Sequence, residues 1–308
     1  MKLNTSSPIV VSNAQLATCL AEPDNPLQIE CINDLIRMVY DYARTMEFTP
    51  CRFLPHAFGP TEFDVTSTHI AISSMYSVDV FQNTEIPNKI ASFAVPQVTA
   101  ALCLHKDVLT VFGVDIHFDS LFQFSLLDPT QPAHVLLCNR DQTYIPTNTV
   151  LYKDELFVLN LETVAVFGAN DHSFRRKFDN HSTFLGCAQW MSVNDSGIYV
   201  FGRFYEYEHR IRRNQVQQFT HAGVPVKTYE ITGLTNVTRE GDLSGACVDN
   251  GFIYLADQHR SCIHVFDARS CERVTEYACG DRKPGNVKVC DHQLYIDTAR
   301  GILVVNIQ

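Results

Sequence analysis

One event recurs six times along this chain. An apolar run reaches a short polar turn, an alternating strand follows, and a second strand then ends, in five of the six, on phenylalanine. The clearest copy begins "ACVDNGFIYLAD", where Asp249-Asn250-Gly251 separates two apolar runs. Asn-Gly between such runs is the strongest short hairpin signal, because both turn residues must take positive φ. Equivalent turns stand at Thr66–Thr68, His105–Asp107, Lys153–Glu155, Asn194–Gly197 and Asp291–Gln293. The strands that follow end at Phe81, Phe124, Phe167, Phe219 and Phe266, with "LVV" at Val305 in the sixth copy. A last alternating run closes most copies, as in "KIASFAV", "PVKTYEI" and "RVTEYA".

Four strands per copy, repeating every ~40–50 residues, predict an all-β fold of six propeller blades. A sandwich with evenly spaced strands is the alternative, but nothing in a sandwich requires the same order of turn and second strand six times, with phenylalanine in five of them. The sixth copy stops at Ile307-Gln308, one strand short. Cys51–Leu54 is expected to supply the missing strand, since an open ring would leave two unpaired edges. The expected division is therefore an N-terminal arm over residues 1–50 and the six-bladed propeller over 51–308. Within the arm, "NPLQIECINDLIRMVYDYARTMEF" predicts a short helix. Asn25 caps it, Pro26 suits the first helical position, and Leu27, Ile32, Leu35, Ile36, Val39 and Tyr40 share one face. That face either packs on the ring or serves as a dimer or partner contact.

Composition narrows the classes of function. The 308 residues are 45% hydrophobic and 19% charged, enough apolar material for a large core and unlike a disordered chain. The net charge of −10 disfavours indiscriminate attraction to nucleic acid or anionic lipid. No run of about 18 apolar residues predicts a membrane span. The start "MKLNTSSPIVVSNAQ" has no apolar signal segment. A cytoplasmic location is therefore expected, with the eleven scattered cysteines as reduced thiols.

The stretch Leu243–Gly280 resembles an NHL repeat. Asp249, Gly251, Tyr254, Asp257, Ile263, Val265, Phe266 and Asp267 match its pattern of apolar strand, D-x-G, I-Y-V-A-D, polar loop and I-x-V-F-D. "DSGIYVFG" and "GILVVNI" match in part, and the first three copies match by spacing. The Gly-His and Trp-Asp pairs of WD-repeat propellers are missing; the single tryptophan, Trp190, precedes Met191. The resemblance implies a six-bladed NHL-like propeller. NHL propellers of TRIM-NHL proteins bind single-stranded RNA or proteins, and related propellers act as amidating lyases and lactonases. No RING or B-box pattern supports a ligase role.

The expected innermost strands offer Asp64 with neutral Asn148, Gln189 and Asn286, a poor set for Ca²⁺ or Zn²⁺. No metal, cofactor or catalytic residue is therefore assigned, and the chain is expected not to be an enzyme. The loops joining second to third strands, and blade to blade, share one rim. In the first three copies they carry mixed or acidic residues, Asp115, Asp119, Asp141 and Glu162, with Arg140 the lone base. In the last three they are basic and aromatic, with Arg203, Tyr205, Tyr207, Arg210, Arg212 and Arg213 in one insertion, then His259, Arg260, Arg282, Lys283 and Arg300, set against Glu206, Glu208, Asp257 and Asp281. Arginine with aromatic rings suits a protein interface, and equally single-stranded RNA, whose phosphates pair with cations while bases stack. The expected function is a non-catalytic scaffold binding a protein partner through this rim. Single-stranded RNA ranks second, and a propeller hydrolase or lyase third.

Overall fold

The computed structural model describes residues 48–55, 62–114, 120–137, 146–160, 163–179, 187–206, 211–231 and 243–307. For 136–137, 187, 203–206, 211–214 and 230 it describes the backbone alone. The arm, its helix and the acidic loop residues Asp115, Asp119, Asp141 and Glu162 lie outside the described residues.

The described residues form six four-stranded antiparallel sheets. Blade 1 is β2 (Glu62–Val65), β3 (His69–Ser74), β4 (Ser77–Gln82) and β5 (Lys89–Ala94). Blade 2 is β6 (Val98–His105), β7 (Val108–Val114), β8 (Ser120–Ser125) and β9 (His134–Leu137). Blade 3 is β10 (Pro146–Tyr152), β11 (Glu155–Asn160), β12 (Thr163–Gly168) and β13 (Phe174–Asp179). Blade 4 is β14 (Cys187–Asn194), β15 (Gly197–Glu206), β16 (Ile211–Phe219) and β17 (Pro225–Glu230). Blade 5 is β18 (Leu243–Asp249), β19 (Phe252–Asp257), β20 (Cys262–Asp267) and β21 (Arg273–Ala278). Blade 6 takes β22 (Pro284–Cys290), β23 (Gln293–Thr298) and β24 (Gly301–Ile307) from the C-terminal end, and β1 (Phe48–Pro55) from the other. The first strands of successive blades touch in turn, and β22 touches β2, so the ring is closed.

The closing strand is longer than Cys51–Leu54. Pairing runs from Phe48↔Ile307 to Pro55↔Gly301. Arg52 on this strand hydrogen-bonds the Tyr295 hydroxyl of blade 6 at 3.0 Å, and also the Thr84 carbonyl and Asn83 side chain of blade 1. The seam is thus tied across its two blades as well as along the strand.

The recurring phenylalanine has a geometric reason. Where the third strand meets the fourth, the register shifts at Val80/Phe81, Val166/Phe167, Gln218/Phe219 and Val265/Phe266. Blade 6 repeats the shift at Pro50/Arg52, opposite Val304 and Val305. Each is a one-residue bulge, which bends the outer strand and increases its twist. In blades 2 to 5 the phenylalanine at this position, beside a bulge in all but blade 2, packs toward the preceding blade. Phe124 joins Val80 and Phe93 of blade 1, Phe167 joins Phe112 of blade 2, Phe219 joins Phe157 of blade 3, and Phe266 joins Phe201 and Val216 of blade 4. Full burial of one such ring stabilises by roughly 1.5–3 kcal/mol. A blade therefore reaches its stability only beside a neighbour, which is the physical basis of the repeat.

Turn chemistry follows the sequence. Asn250 and Gly251 have φ of 47° and 78°, the left-handed pair that a two-residue hairpin requires. Blade 6 makes the same turn with Asp291 (φ 48°) and His292 (φ 60°), without a glycine.

Candidate functional site

The first strands of all blades run the same way round the axis. Turns after them therefore gather at one end, and second-to-third-strand turns with blade connections gather at the other. The two ends differ in chemistry.

The second end carries the basic rim. His259 and Arg260 lie exposed on the β19–β20 turn, Arg282 and Lys283 on the β21–β22 connection, and Arg300 on the β23–β24 turn. The Arg282 guanidinium sits 5.1 Å from the ring centroid of Phe53 on the closing strand. Arg260 reaches the Asp257 carboxylate at 4.0 Å. Lys283 and Arg300 have no carboxylate partner among the described residues. In blade 4 the expected insertion loop is mostly strand. β15 and β16 extend the hairpin outward, pairing Arg203↔Asn214, Phe204↔Arg213, Tyr205↔Arg212 and Glu206↔Ile211. Phe204, Tyr205 and Ile211 are residue types that favour strand, consistent with this extension. Tyr207 and Arg210 lie outside the described residues. The structure thus brings His259, Arg260, Arg282, Lys283 and Arg300 to one end over two adjacent blades, and places Arg203, Tyr205, Arg212 and Arg213 on a ladder reaching toward the same end.

The first end opens on the channel, a cavity of about 370 Å³ lined by Asp64, Asn148, Met191, Cys247, Asn286 and Lys288 among others. Sequence reading assigned it one carboxylate and no cation, and missed its main feature. Lys288 Nζ donates to Asp64 Oδ1 at 2.7 Å, with both side chains largely buried. Burial alone would lower the Lys288 pKa; Asp64 and Glu62 beside it outweigh that and raise it. Asp64 also accepts the backbone N–H of Leu104 at 2.8 Å. Behind this pair, Asn286 donates to Glu62 at 2.7 Å, and Asp297 faces the Asn286 N–H. Burial pushes the Glu62 carboxyl up to about 7 and the Asp297 carboxyl up to about 8. Neither carboxyl lines the cavity. Cys247 does, but burial raises its thiol far above the nucleophilic range. The alternation of "NVKVC" was the available signal: it sends Asn286, Lys288 and Cys290 to one face.

Two further groups stand apart from the channel. Between blades 2 and 3 a cavity of about 280 Å³ is lined by His105, His134 and His172. Desolvation lowers the pKa of His105 and of His172, which keeps both neutral near physiological pH. In blade 5, Asp257, Cys262 and His264 bring a carboxylate, a thiol and an imidazole together, all buried. They are the set among the described residues whose donor atoms lie close enough to share an ion. The described cysteines are free thiols.

No protein-family profile matches the chain. No curated protein matches its sequence either. Among solved structures the chain is similar to a computationally designed protein, Ika8. The identity is 11%, with 84% of this chain and 100% of that one covered and a TM-score of 0.49. Such a likeness carries no argument, and the fold stands on the blade topology. No helix among the described residues is long and apolar enough to cross a membrane.

Proposed function

We propose that the chain is an NHL-like propeller acting as a non-catalytic binding platform, with its basic rim as the working surface and a protein as its partner. The observation that carries this is the separation of charges between the two ends. At the channel, Lys288 is held by Asp64, and the two carboxyls with raised pKa are shut away from the cavity. At the rim, cations from two adjacent blades stand exposed, and blade 4 adds Arg203, Arg212 and Arg213 by register. Exposed arginine with aromatic residues is the composition of interface anchors. A net charge of −10 opposes long-range approach by RNA and favours a protein whose own surface supplies the acidic complement.

A second reading, single-stranded RNA, is favoured by one observation. β15–β16 sets Tyr205 opposite Arg212 and Phe204 opposite Arg213, an aromatic paired with a cation at two successive levels. One experiment separates the two. Affinity capture from extract, with and without ribonuclease, is run on the wild type and on a Lys283→Glu/Arg300→Glu variant. A protein recovered equally after ribonuclease, and lost by the variant, supports the protein platform. Recovery of RNA that disappears in the variant and falls steeply with salt moves the assignment to RNA. Capture that the variant leaves unchanged rejects the rim as the working surface.

A further inference from the structure

We infer that Asp257, Cys262 and His264 form a binding site for a divalent ion of the zinc class beneath the β19–β20 turn of blade 5. Asp257 and Cys262 are cross-strand partners at the end of the hairpin. His264 lies two residues along β20, on the same face. Its Nε2 is 3.2 Å from Asp257 Oδ2 and 3.5 Å from Cys262 Sγ. The three donor atoms all lie within 4.8 Å of one another. Bonds of about 2.0–2.3 Å to a tetrahedral ion place neighbouring donors roughly 3.3–3.8 Å apart. Two of the edges are therefore already close to those of an occupied site.

The histidine supplies the independent argument. A neutral imidazole carries one proton. Its Nε2 faces Asp257, and its Nδ1 faces Glu276 Oε2 at 3.6 Å with no hydrogen-bond partner, in a side chain that is 0% exposed. In the neutral ring one proton satisfies one carboxylate and leaves the other ring lone pair aimed at an anion. An ion on the Nε2 side removes the conflict. The Nε2 lone pair goes to the ion, and the proton moves to Nδ1, which faces Glu276. A carboxylate behind the second nitrogen is the usual partner of a metal-bound imidazole, fixing its tautomer and orientation.

The charge of the ion is neutralised by its own ligands. Binding releases the Cys262 thiol proton to solvent, so thiolate and carboxylate together neutralise the ion. Arg273, 3.3 Å from Glu276, offsets the remaining carboxylate, and Arg260, 4.0 Å from Asp257, adds one positive charge at the exposed edge of the site. A thiolate with an imidazole selects a borderline-soft ion and excludes Ca²⁺ and Mg²⁺, which take oxygen ligands. Three protein donors leave one position for water. The site does not depend on what the rim binds.

The test uses the full chain, stripped with a chelator and titrated with Co²⁺ as a spectroscopic stand-in. Expected are tetrahedral ligand-field bands and a sulfur-to-cobalt charge-transfer band saturating at about one ion per chain. Zn²⁺ should displace the cobalt and raise the melting temperature, while Mg²⁺ should do neither. Cys262→Ser should abolish the charge-transfer band. Glu276→Gln, at a half-exposed position that leaves the core intact, should weaken affinity roughly 10–100-fold. Failure of any cobalt band to appear near one equivalent overturns the assignment, as does a band unchanged in Cys262→Ser. If Cys262→Ser does not fold, as judged by circular dichroism, Glu276→Gln decides. Unchanged affinity in that variant places the ion elsewhere and overturns the site.

Discussion

Asp297 shows how one residue can make the whole ring sensitive to pH. Its carboxyl is buried behind Asn286 and near Glu62, and the fold raises both acids, to about 8 and about 7. A raised carboxyl pKa means that the folded state holds protons the unfolded chain has lost. Its effect is absent below the unfolded value, about 4. The fold then loses stability as pH rises, until the folded pKa is passed. Wild-type protein should therefore be more stable at about pH 5 than at about pH 8. Asp297→Asn should recover about 1–3 kcal/mol at the higher pH and little at about pH 4. Urea unfolding midpoints of the two proteins across this range make the check. Parallel slopes would mean that Asp297 ionises freely. Gly285 packs close to this carboxyl: a Cβ there would lie 2.7 Å from Asp297 Oδ2, so any larger residue would have to displace the Asp297 side chain.

Hairpins are the elements on which both stability and binding turn. Two blades solve the same turn differently. Asn250-Gly251 places glycine at the second left-handed position, and Asp291-His292 places a histidine there. The left-handed conformation costs an ordinary residue about 1–2 kcal/mol. His292→Gly should therefore stabilise the protein by about 0.5–1 kcal/mol after the added freedom of the unfolded chain is counted, and Gly251→Ala should destabilise it by a similar amount. Thermal melting of the pair reads both signs. In blade 4 the hairpin carries the binding prediction. Arg212 and Arg213 were expected in a loop, where reversing their charge would leave the ladder untouched. They lie instead in β16, opposite Tyr205 and Phe204. Arg212→Glu/Arg213→Glu should still abolish partner binding. It should now also cost about 0.2–1 kcal/mol per broken cross-strand pair. Binding retained at wild-type strength, measured by titration against the captured partner, would remove this hairpin from the interface.

At the scale of the molecule, the ring is held by its seam. Leu54 of β1 is buried with Phe63, Ile70 and Tyr295, so the closing strand contributes both hydrogen bonds and core. Deleting residues 1–47 keeps every pair of the seam and should leave a cooperatively folding ring. Deleting residues 1–56 removes β1, exposes the edge of β24, and opens the contacts made by Arg52. That protein should melt broadly and at a lower temperature, and should self-associate through the free edge. Calorimetry and sedimentation of the two truncations decide it. Equal, sharp melting of both would show that closure by β1 is dispensable.

The repeat itself was legible in the chain because its causes are local. Alternation with period two sets a strand, Asn-Gly sets a turn, and the phenylalanine before the last strand stands beside a bulge in blades 1, 3, 4 and 5. Local chemistry therefore sufficed for blade number, strand order and the need for a closing strand. It also placed His259, Arg260, Arg282, Lys283 and Arg300 on turns and connections that share an end. It did not reveal pairs that depend on distant parts of the chain meeting. Lys288 finds Asp64 across 224 residues, because the last blade must lie beside the first. Asp257, Cys262 and His264 lie close in sequence, yet their meaning also escaped a linear reading. Their spacing resembles an ordinary hairpin, and only the folded sheet shows the imidazole enclosed between two carboxylates and a thiol. Periodicity declares the architecture; the closing of the ring, which buries charges that sequence spacing leaves far apart, decides where its chemistry lies.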